Sequence, residues 1–371
     1  MYMMKKFLSN MKSKIYILSL ITLICVSCSS MSENDGIIRQ KGVYLNIQST
    51  VKTDETKAAI TGTQLPGGSN FGLFICEHHD SSEPNPYIAH SPQYNNIKAT
   101  LSNGKWMYSY AGYTAFPTIF VLEKLDENDN PVNADVFAYA PYHLEVTTPE
   151  SVPFDITEQH DYMYALENND PSANKNINPA ASGTEVTVPL TFAHAFALLE
   201  FNILLKNEEY NHPDGNGNAV RNNLSGIRVR KNSNKNADEI QLYRTGIMNA
   251  IDGSLSSLQE TSYMDFGRGS IRIDNGKVSG GRKMITAHML LVPAEPDDDE
   301  YIFSFTFDNA KIDTEFILKK EHLRHGTTDQ FGLKAGYKYT FNFELDNYLR
   351  FKDVSFGEWT TIEKPIYEIE I

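Results

Sequence analysis

Two cysteines near the start of the chain have the spacing used by redox and metal-binding sites. Cys25 and Cys28 stand as C-x-x-C in the stretch "LICVSCSS". A zinc site needs two more ligands at suitable spacing, and a redox pair needs a folded context. This pair instead follows a lysine-rich stretch and an apolar run at residues 15–26, which is too short to span a bilayer as a stable helix. The arrangement is typical of a secretory signal peptide.

The small residues that close the apolar run predict where the signal ends. Cys28 stands where a lipoprotein signal peptidase would cut and leave an acylated first residue, although Cys25 replaces the leucine that usually precedes it by three positions. We therefore expect a lipoprotein signal peptide at residues 1–27, lipidation of Cys28 and a polar tether at 28–42. An ordinary cleaved signal is the alternative, and a start at Met11 would give a more typical signal.

The charge and cysteine content of the mature chain exclude some partners and crosslinks. Without residues 1–27 the chain has 29 basic and 47 acidic residues, a net charge of −18. Such a chain would repel phosphate backbones, so we expect no nucleic-acid partner. Cys28 and Cys76 are the remaining cysteines, and a lipidated Cys28 leaves no disulfide to form. A chain of about 340 residues can hold itself together by an apolar core, most simply as two domains.

Several other clusters contain metal- or phosphate-binding residue types, but each lacks part of its pattern. The loop at residues 62–69 has the outline of a phosphate-binding loop without its lysine. Consecutive side chains of a strand point in opposite directions, which argues against a metal site at residues 76–80, "CEHHD". His322 and His325 form a similarly weak pair, and His194 lies in an apolar run, as a core histidine would.

No catalytic constellation can be assembled from the sequence. The motifs G-x-S-x-G and H-E-x-x-H do not occur, and the Asp-rich loop "DENDNPVNAD" lacks the glycine and the glutamate of a calcium loop. Trp106, Tyr110 and Tyr113 could stack on sugar rings, but packing in a core explains them with fewer assumptions. We therefore expect a protein that is not an enzyme and that has no cofactor and no metal site.

The elements that would position functional residues are strands. Residues 43–51 alternate apolar and polar side chains as a half-buried strand does, and "YIFSFTF" and "YKYTFNFEL" show the same alternation. Asn-Gly dipeptides at residues 103–104 and 275–276 predict two hairpins. Many short strands with turn signals favour an all-β chain of two antiparallel β-sandwich domains, which we place at residues 43–175 and 176–371.

Two segments far apart in the chain share one pattern. Each has three apolar residues at every second position, and the two triplets are Val43, Leu45 and Ile47, and Tyr367, Ile369 and Ile371. A strand that leaves a sheet exposes unpaired backbone groups and an apolar slot, which a strand from another molecule can complete. Both triplets could fill the same kind of groove. We therefore consider the first a displaced strand and the second a donor strand.

The order of several motifs resembles that of one protein family. The motifs are "ETKAAITGTQLPGGSNFGLFI", "VFAYAPY", "DYMYA", "VPLTFAHAFALLEF", "MLLVP", and "YKYTFNFEL" with the later "FGEWT", and with the signal they cover nearly the whole chain. In this order they resemble the fimbrillins, which are pilus subunits of Gram-negative oral and gut anaerobes. The resemblance implies transthyretin-like β-sandwich domains, export as an outer-membrane lipoprotein, and proteolytic removal of the first strand. It also implies that a strand of the next subunit then fills the vacated groove.

The resemblance further implies a processing site, which falls on Lys57 and Ala58 of "ETKAA". The family has an arginine where this chain has Lys57, and guanidinium and ammonium need different partners in a protease pocket. Either the processing enzyme accepts lysine, or this subunit is not cut there. Arg39 is the other candidate, but a cut at that residue would leave residues 43–51 in place and open no groove.

Two functions from different classes remain. A structural subunit would polymerise into surface fimbriae that support adhesion, with other fimbrial subunits as partners and the outer membrane as its lipid-anchored starting point. A binding protein would stay uncleaved on the surface as a pilus anchor, a tip adhesin or a receptor for host or bacterial glycans or proteins. The mature N-terminus distinguishes them, because a start at Ala58 indicates polymerisation and a persistent lipidated Cys28 indicates an anchor.

Overall fold

The described part of the chain folds almost wholly into β-strands. The computed structural model describes residues 41–51, 70–78, 87, 94–103, 105–110, 116–166, 175–181, 183–206, 223–231, 242–294, 301–308, 314–323, 332–346 and 348–358. The strands within them are Gly42–Val51 (β1), Asn70–Glu77 (β2), Ile97–Ser102 (β3), Lys105–Ser109 (β4), Ile119–Leu122 (β5), Lys124–Leu125 (β6), Pro131–Val132 (β7), Ala134–Ala140 (β8), Val152–Asp155 (β9), Met163–Leu166 (β10), Glu185–His194 (β11), Ala197–Leu205 (β12), Leu224–Lys231 (β13), Tyr243–Met248 (β14), Leu255–Glu260 (β15), Tyr263–Gly267 (β16), Arg272–Ser279 (β17), Arg282–Leu291 (β18), Tyr301–Phe307 (β19), Glu315–Leu318 (β20), Tyr337–Leu345 (β21) and Leu349–Glu358 (β22). Short 3-10 turns occur at Ile156–Glu158 and Lys320–Leu323. The prediction of an all-β chain is confirmed.

Eight strands of the first half form one sheet whose ends are linked. Their order is β4-β3-β2-β8-β10-β11-β1-β5. A bridge joins Tyr108 of β4 to Phe116, which leads into β5, so the two outermost strands approach each other. The inward side chains form an apolar core, in which the Phe71 ring lies 4.6 Å from Trp106 and 5.4 Å from Phe192 between centroids. Residues of β1 belong to this core.

The second half contains two further sheets that pack on each other. One has the order β17-β18-β12-β21-β22 and the other the order β16-β13-β19-β20. Phe201 of β12 packs between them, with ring centroids 5.3 Å from Phe303 and Phe305 of β19 and 5.4 Å from Phe341 of β21. All four rings are buried, which confirms the alternation predicted for "YIFSFTF" and "YKYTFNFEL". The pairs β1 with β11 and β12 with β21 are parallel, in an otherwise largely antiparallel fold.

One long apolar run carries the chain from the first sheet into the second half. It divides at Ala195 and Phe196 into β11, which belongs to the eight-stranded sheet, and β12. A three-stranded sheet, β15-β14-β9, connects β9 of the first half to β14 of the second. The domain boundary between residues 175 and 176 stays a prediction, and the pairing of β11 favours a position near residue 195.

The two predicted Asn-Gly hairpins have different outcomes. Strands β3 and β4 form the first one, and Asn103 in its turn has a φ of 50°. The second prediction is wrong, because β17 continues through residues 275–276 with a local register shift. The chain turns instead at Gly280 and Gly281, whose φ values are 57° and 78°. Within the described ranges, no helix has the length and apolar character of a membrane span.

Candidate functional site

The strand predicted to leave the sheet, β1, lies inside it. Val43, Leu45 and Ile47 are 0, 2 and 4 % exposed and belong to the core of the first sheet, whereas Tyr44 is 43 % exposed. This confirms the predicted half-buried strand. Burial of the three side chains contributes roughly 5–9 kcal/mol, at about 1.5–3 kcal/mol for each. That is comparable to the whole stability of a typical domain, so the first sheet depends on β1 or a substitute.

Backbone hydrogen bonds hold β1 along both edges. It runs parallel to β11 from Tyr44 to Val51 and antiparallel to β5 from Gly42 to Leu45. The Tyr44 N–H also donates to the Thr184 carbonyl at 3.0 Å. Removal of β1 would leave a slot between β5 and β11 with unpaired backbone groups on both sides, which a strand of another molecule could fill. We call this slot the β1 groove.

Gly42 lies at a tight point of the β1 groove. A Cβ at this position would lie 2.5 Å from the Val121 carbonyl oxygen and 2.7 Å from Cζ of Phe120. The Gly42 carbonyl accepts a hydrogen bond from the Gly183 N–H at 2.9 Å, which limits its freedom to withdraw. Phe120 in turn packs on Tyr44, with ring centroids 4.7 Å apart. A side chain at position 42 therefore does not fit unless β5 moves.

The second half of β1 has a different environment. The Tyr108 hydroxyl forms a hydrogen bond with the Ile47 backbone, and burial raises the pKa of Tyr108 above its usual range. Ser49 is fully buried, and its hydroxyl has no hydrogen-bond partner among the described residues. A buried hydroxyl without a partner costs free energy, so Ser49 weakens the hold of the groove on β1.

The other residues predicted for this site lie outside the described residues. They are the lipidated cysteine, the two residues of the processing site and the donor triplet, namely Cys28, Lys57, Ala58, Tyr367, Ile369 and Ile371. The processing site belongs to residues 52–69, which connect β1 to β2 in the chain. A cut at Lys57 would therefore separate β1 from all later strands.

Residues considered for metal binding have structural roles where they are described. Burial raises the pKa of the Cys76 thiol to about 12, which disfavours the reactive thiolate. His194 is 2 % exposed with Nδ1 2.9 Å from an Asp161 carboxylate oxygen, as expected for a core histidine. His322 stacks on Phe316 at a centroid distance of 5.6 Å. No group of three potential metal ligands occurs among the described residues.

The aromatic residues considered for sugar stacking pack into the protein. Trp106 is 8 % exposed and contacts Phe71 edge-on, so the prediction of core packing is confirmed for it. Tyr110 stacks on Phe116 with ring centroids 5.9 Å apart. Tyr113 lies outside the described residues.

A shallow depression that no sequence motif indicated lies on the four-stranded sheet. Its volume is about 370 Å³, and its lining consists of Ser225, Gly226, Ile227, Arg228, Asp265, Phe266, Gly267, Ser304 and Thr306. Arg228 and Asp265 form a two-point ion pair, and the Tyr263 ring lies 5.5 Å from the guanidinium of Arg228. Tyr263 is 54 % exposed. The lining comes from β13, β16 and β19, which are far apart in the chain, so no local pattern could mark it.

Sequence reasoning also missed the residues that shape the β1 groove. Gly42 stands directly before the alternating run, and this position was the available signal. Phe120, Val121 and Tyr108 become neighbours of β1 only through the fold. Their sequence environment gives no indication of that contact.

A family model matches most of the chain. The model described as fimbrillin-like covers residues 56–364. This match includes every strand from β2 to β22 and leaves out β1. No curated protein sequence matches the chain.

Several solved structures are similar to this chain at low identity. A Bacteroides uniformis protein named for a proposed role in cell adhesion is 13 % identical, with a TM-score of 0.49 over 89 % of this chain and 100 % of its own. The tip fimbrial protein Mfa3 of Porphyromonas gingivalis, with a C-terminal truncation, is 10 % identical, with a TM-score of 0.39 over 85 % of this chain and 99 % of its own. The fimbrial anchor protein Mfa2 of the same organism is 10 % identical, with a TM-score of 0.33 over 86 % and 98 %.

Proposed function

This chain belongs to the fimbrillin-like family of fimbrial and cell-adhesion proteins, and from this premise we propose that it is a structural subunit that polymerises by strand exchange. In this proposal the chain is exported as an outer-membrane lipoprotein on Cys28 and is cut between Lys57 and Ala58. A strand of another subunit then enters the β1 groove. The fimbria that results supports adhesion, and its partners are other fimbrial subunits. The chain is not an enzyme, in keeping with its family.

The interior position of β1 is the observation that carries this proposal. A strand at a sheet edge could leave while its neighbours kept their pairing on the other side. Loss of β1, by contrast, breaks the pairing with β5 and one of the two pairings of β11, and it removes Val43, Leu45 and Ile47 from the core. A strand with alternating apolar residues from another subunit would restore both the hydrogen bonds and the core. Association thereby becomes a condition for the stability of the first sheet.

Cleavage of the connection between β1 and β2 would convert the membrane-bound subunit into one that can polymerise. Lys57 and the lipid on Cys28 lie on opposite sides of β1 in the chain. One cut after Lys57 would therefore break the covalent link of the sheet to both β1 and the lipid, and the departure of β1 would then release the subunit from the membrane. Both events are needed before a subunit can join a fibre away from the membrane.

N-terminal sequencing of the protein in isolated fimbriae tests this proposal. We expect a start at Ala58, and we expect Lys57→Gln to block both the cut and incorporation into fibres. Lys52→Gln is the matched control, because it removes a lysine from the same connection without touching the site. Fibres whose subunits retain a lipidated Cys28 would contradict the proposal and support an anchor.

Deletion of residues 367–371 tests the donor role of the second triplet. We expect short fibres or none, because the deletion removes Tyr367, Ile369 and Ile371. The control replaces Glu368 and Glu370 by glutamine, which keeps the apolar triplet and the chain length. Fibres of normal length after the deletion would show that this segment is not a donor strand.

The depression on the four-stranded sheet supports a second candidate function, glycan binding. Arg228 and Asp265 offer charged hydrogen-bond donors and acceptors. Tyr263 lies beside the depression in contact with Arg228, and its exposed ring offers a face for a sugar. We expect Tyr263→Ala to reduce adhesion of assembled fimbriae to glycan-coated surfaces. Tyr348→Ala is the control, since Tyr348 is 66 % exposed and stands between β21 and β22 of the five-stranded sheet, not on the sheet that carries the depression. Equal adhesion by both variants would remove this candidate.

A further inference from the structure

We propose that the β1 groove selects a strand with glycine at the position of Gly42, and that this chain receives its strand from a different subunit rather than from a second copy of itself. This inference rests on the proposed function, because it concerns the strand that replaces β1. It identifies the partner by its chemistry: a glycine directly before three apolar residues at alternate positions, running in the direction of β1.

The atom that excludes a side chain at position 42 belongs to the backbone. A Cβ there would lie 2.5 Å from the carbonyl oxygen of Val121, and contacts below 3.0 Å require that something shift. A flexible side chain such as that of Phe120 can turn away, but a carbonyl oxygen moves only with its strand. The exclusion therefore holds as long as β5 stays in place.

Two buried tyrosines hold β5 in place from the side opposite β1. The Tyr94 hydroxyl donates to the Phe120 carbonyl at 3.0 Å and accepts from the Leu122 N–H at 3.3 Å. The Tyr87 hydroxyl donates to the Leu122 carbonyl at 2.9 Å. Tyr87 and Tyr94 are 1 and 2 % exposed and pack edge to face with centroids 6.0 Å apart. Both peptide groups that flank Val121 are thus fixed, and β5 cannot retreat without breaking these bonds.

The apolar triplet near the end of this chain does not meet the glycine requirement. If Tyr367, Ile369 and Ile371 take the places of Val43, Leu45 and Ile47, then Ile366 falls on the position of Gly42. A shift by two residues in either direction places Lys364 or Glu368 there. Residues 359–371 contain no glycine, so every register in the direction of β1 brings a Cβ to this position.

The glycine requirement means that the strand given by this chain and the strand received by it involve different kinds of subunit. The segment with Tyr367, Ile369 and Ile371 remains free to enter the groove of another subunit whose entrance is wider. The β1 groove of this chain then requires a glycine-bearing strand from elsewhere. A fibre that contains this chain is therefore built from at least two kinds of subunit.

Peptide exchange on a nicked chain tests the proposal. The full chain receives a specific protease site within residues 52–69, is cut there, and is incubated with fluorescent ten-residue peptides. The peptides are GVYLNIQSTV (residues 42–51), its Gly42→Ala and Ser49→Ala variants, IEKPIYEIEI (residues 362–371) and its Ile366→Gly variant. Incorporation is measured by fluorescence anisotropy and confirmed by mass spectrometry of the complex.

We expect the Ser49→Ala variant to bind at least as tightly as the parent 42–51 peptide, because it removes a buried hydroxyl that has no partner. We expect the Gly42→Ala variant to bind at least about tenfold more weakly than the parent, as overpacking of a tight site predicts. We expect the 362–371 peptide to bind weakly and its Ile366→Gly variant to bind at least about tenfold better than it. Equal binding of the glycine and alanine peptides, or tight binding of the unmodified 362–371 peptide, would overturn the inference. If not even the parent 42–51 peptide enters the groove, the proposed strand exchange itself fails.

Discussion

Leu45 lies at the middle of the buried face of β1 and is 2 % exposed. Leu45→Ala should lower the free energy of unfolding by about 2–5 kcal/mol, because it removes buried methyl groups and leaves a cavity. Asn46→Ala on the exposed face is the control and should change it by less than about 0.5 kcal/mol. Urea unfolding of both variants provides the measurement. A similar loss for both would show that β1 is not packed as described.

Glu200 forms a polar cluster on the face of β12 opposite Phe201. Its Oε2 atom lies 2.7 Å from both Nε2 of His288 and Nζ of Lys338. The hydrogen bond from His288 is the main cause that lowers the pKa of Glu200 from 4.5 to about 2, followed by that of Lys338, against the opposing effect of burial. The carboxylate is therefore the form that the fold stabilises.

This shift predicts how stability depends on pH. A carboxyl group whose pKa is lowered by folding stabilises the protein fully above pH 4.5, and this contribution is lost as the pH falls toward 2. Glu200→Gln should therefore cost on the order of 1–3 kcal/mol at pH 7, and the difference from wild type should shrink between pH 5 and about 2. Urea unfolding at several pH values measures this. Glu127→Gln, in an exposed turn, is the control, and a pH-independent difference for Glu200→Gln would contradict the assignment.

At the level of elements, the turn between β17 and β18 gives a direct test of backbone conformation. Gly281 has a φ of 78°, where an L-residue is strained, so Gly281→Ala should cost about 1–2 kcal/mol. Gly276 lies within β17, and a Cβ there would meet only Asp274 Oδ1 at 3.5 Å, an ordinary contact. Gly276→Ala should therefore change stability by less than about 0.5 kcal/mol. Thermal unfolding of the two variants distinguishes this turn from the hairpin that the sequence predicted. A turn at Asn275–Gly276 would make Gly276→Ala the more destabilising of the two substitutions.

These elements show what local pattern can predict and what it cannot. Alternation located the buried faces of β1, β19 and β21 correctly, because a half-buried strand imposes period two on its own residues. Asn275–Gly276 was misinterpreted because a dipeptide signal does not reveal that the strand continues through a register shift. The role of Gly42 depends on Val121, nearly 80 residues away, and on the tyrosines that hold β5. Contacts of that kind leave no periodic trace in the sequence.

At the level of the whole molecule, the two halves share one apolar core. This core includes Phe74 and Tyr139, which lie on β2 and β8 of the first sheet, together with Phe201 and Phe341 of the second half. The described residues between 41 and 358 accordingly form one compact unit. The first sheet thus has two apolar faces. The buried side chains of β1 lie on one face, and the other face packs toward the second half. Completion of the β1 groove should therefore affect the stability of the whole chain.

Phe154 provides the test of that coupling. It lies on β9, the strand of the first half that pairs with β14 of the second half. Its ring centroid lies 5.0 Å from that of Phe196. Phe154→Ala should lower the stability of the chain by about 3–5 kcal/mol while the unfolding transition stays single, because the two halves cannot separate without exposing the shared core. Far-UV circular dichroism follows the whole chain, and Trp106 fluorescence in a Trp359→Phe background follows the first sheet alone. We expect the two transitions to coincide and to shift together in the Phe154→Ala variant. Separate midpoints would show that the halves unfold as independent domains and that strand exchange in the first half does not change the stability of the second.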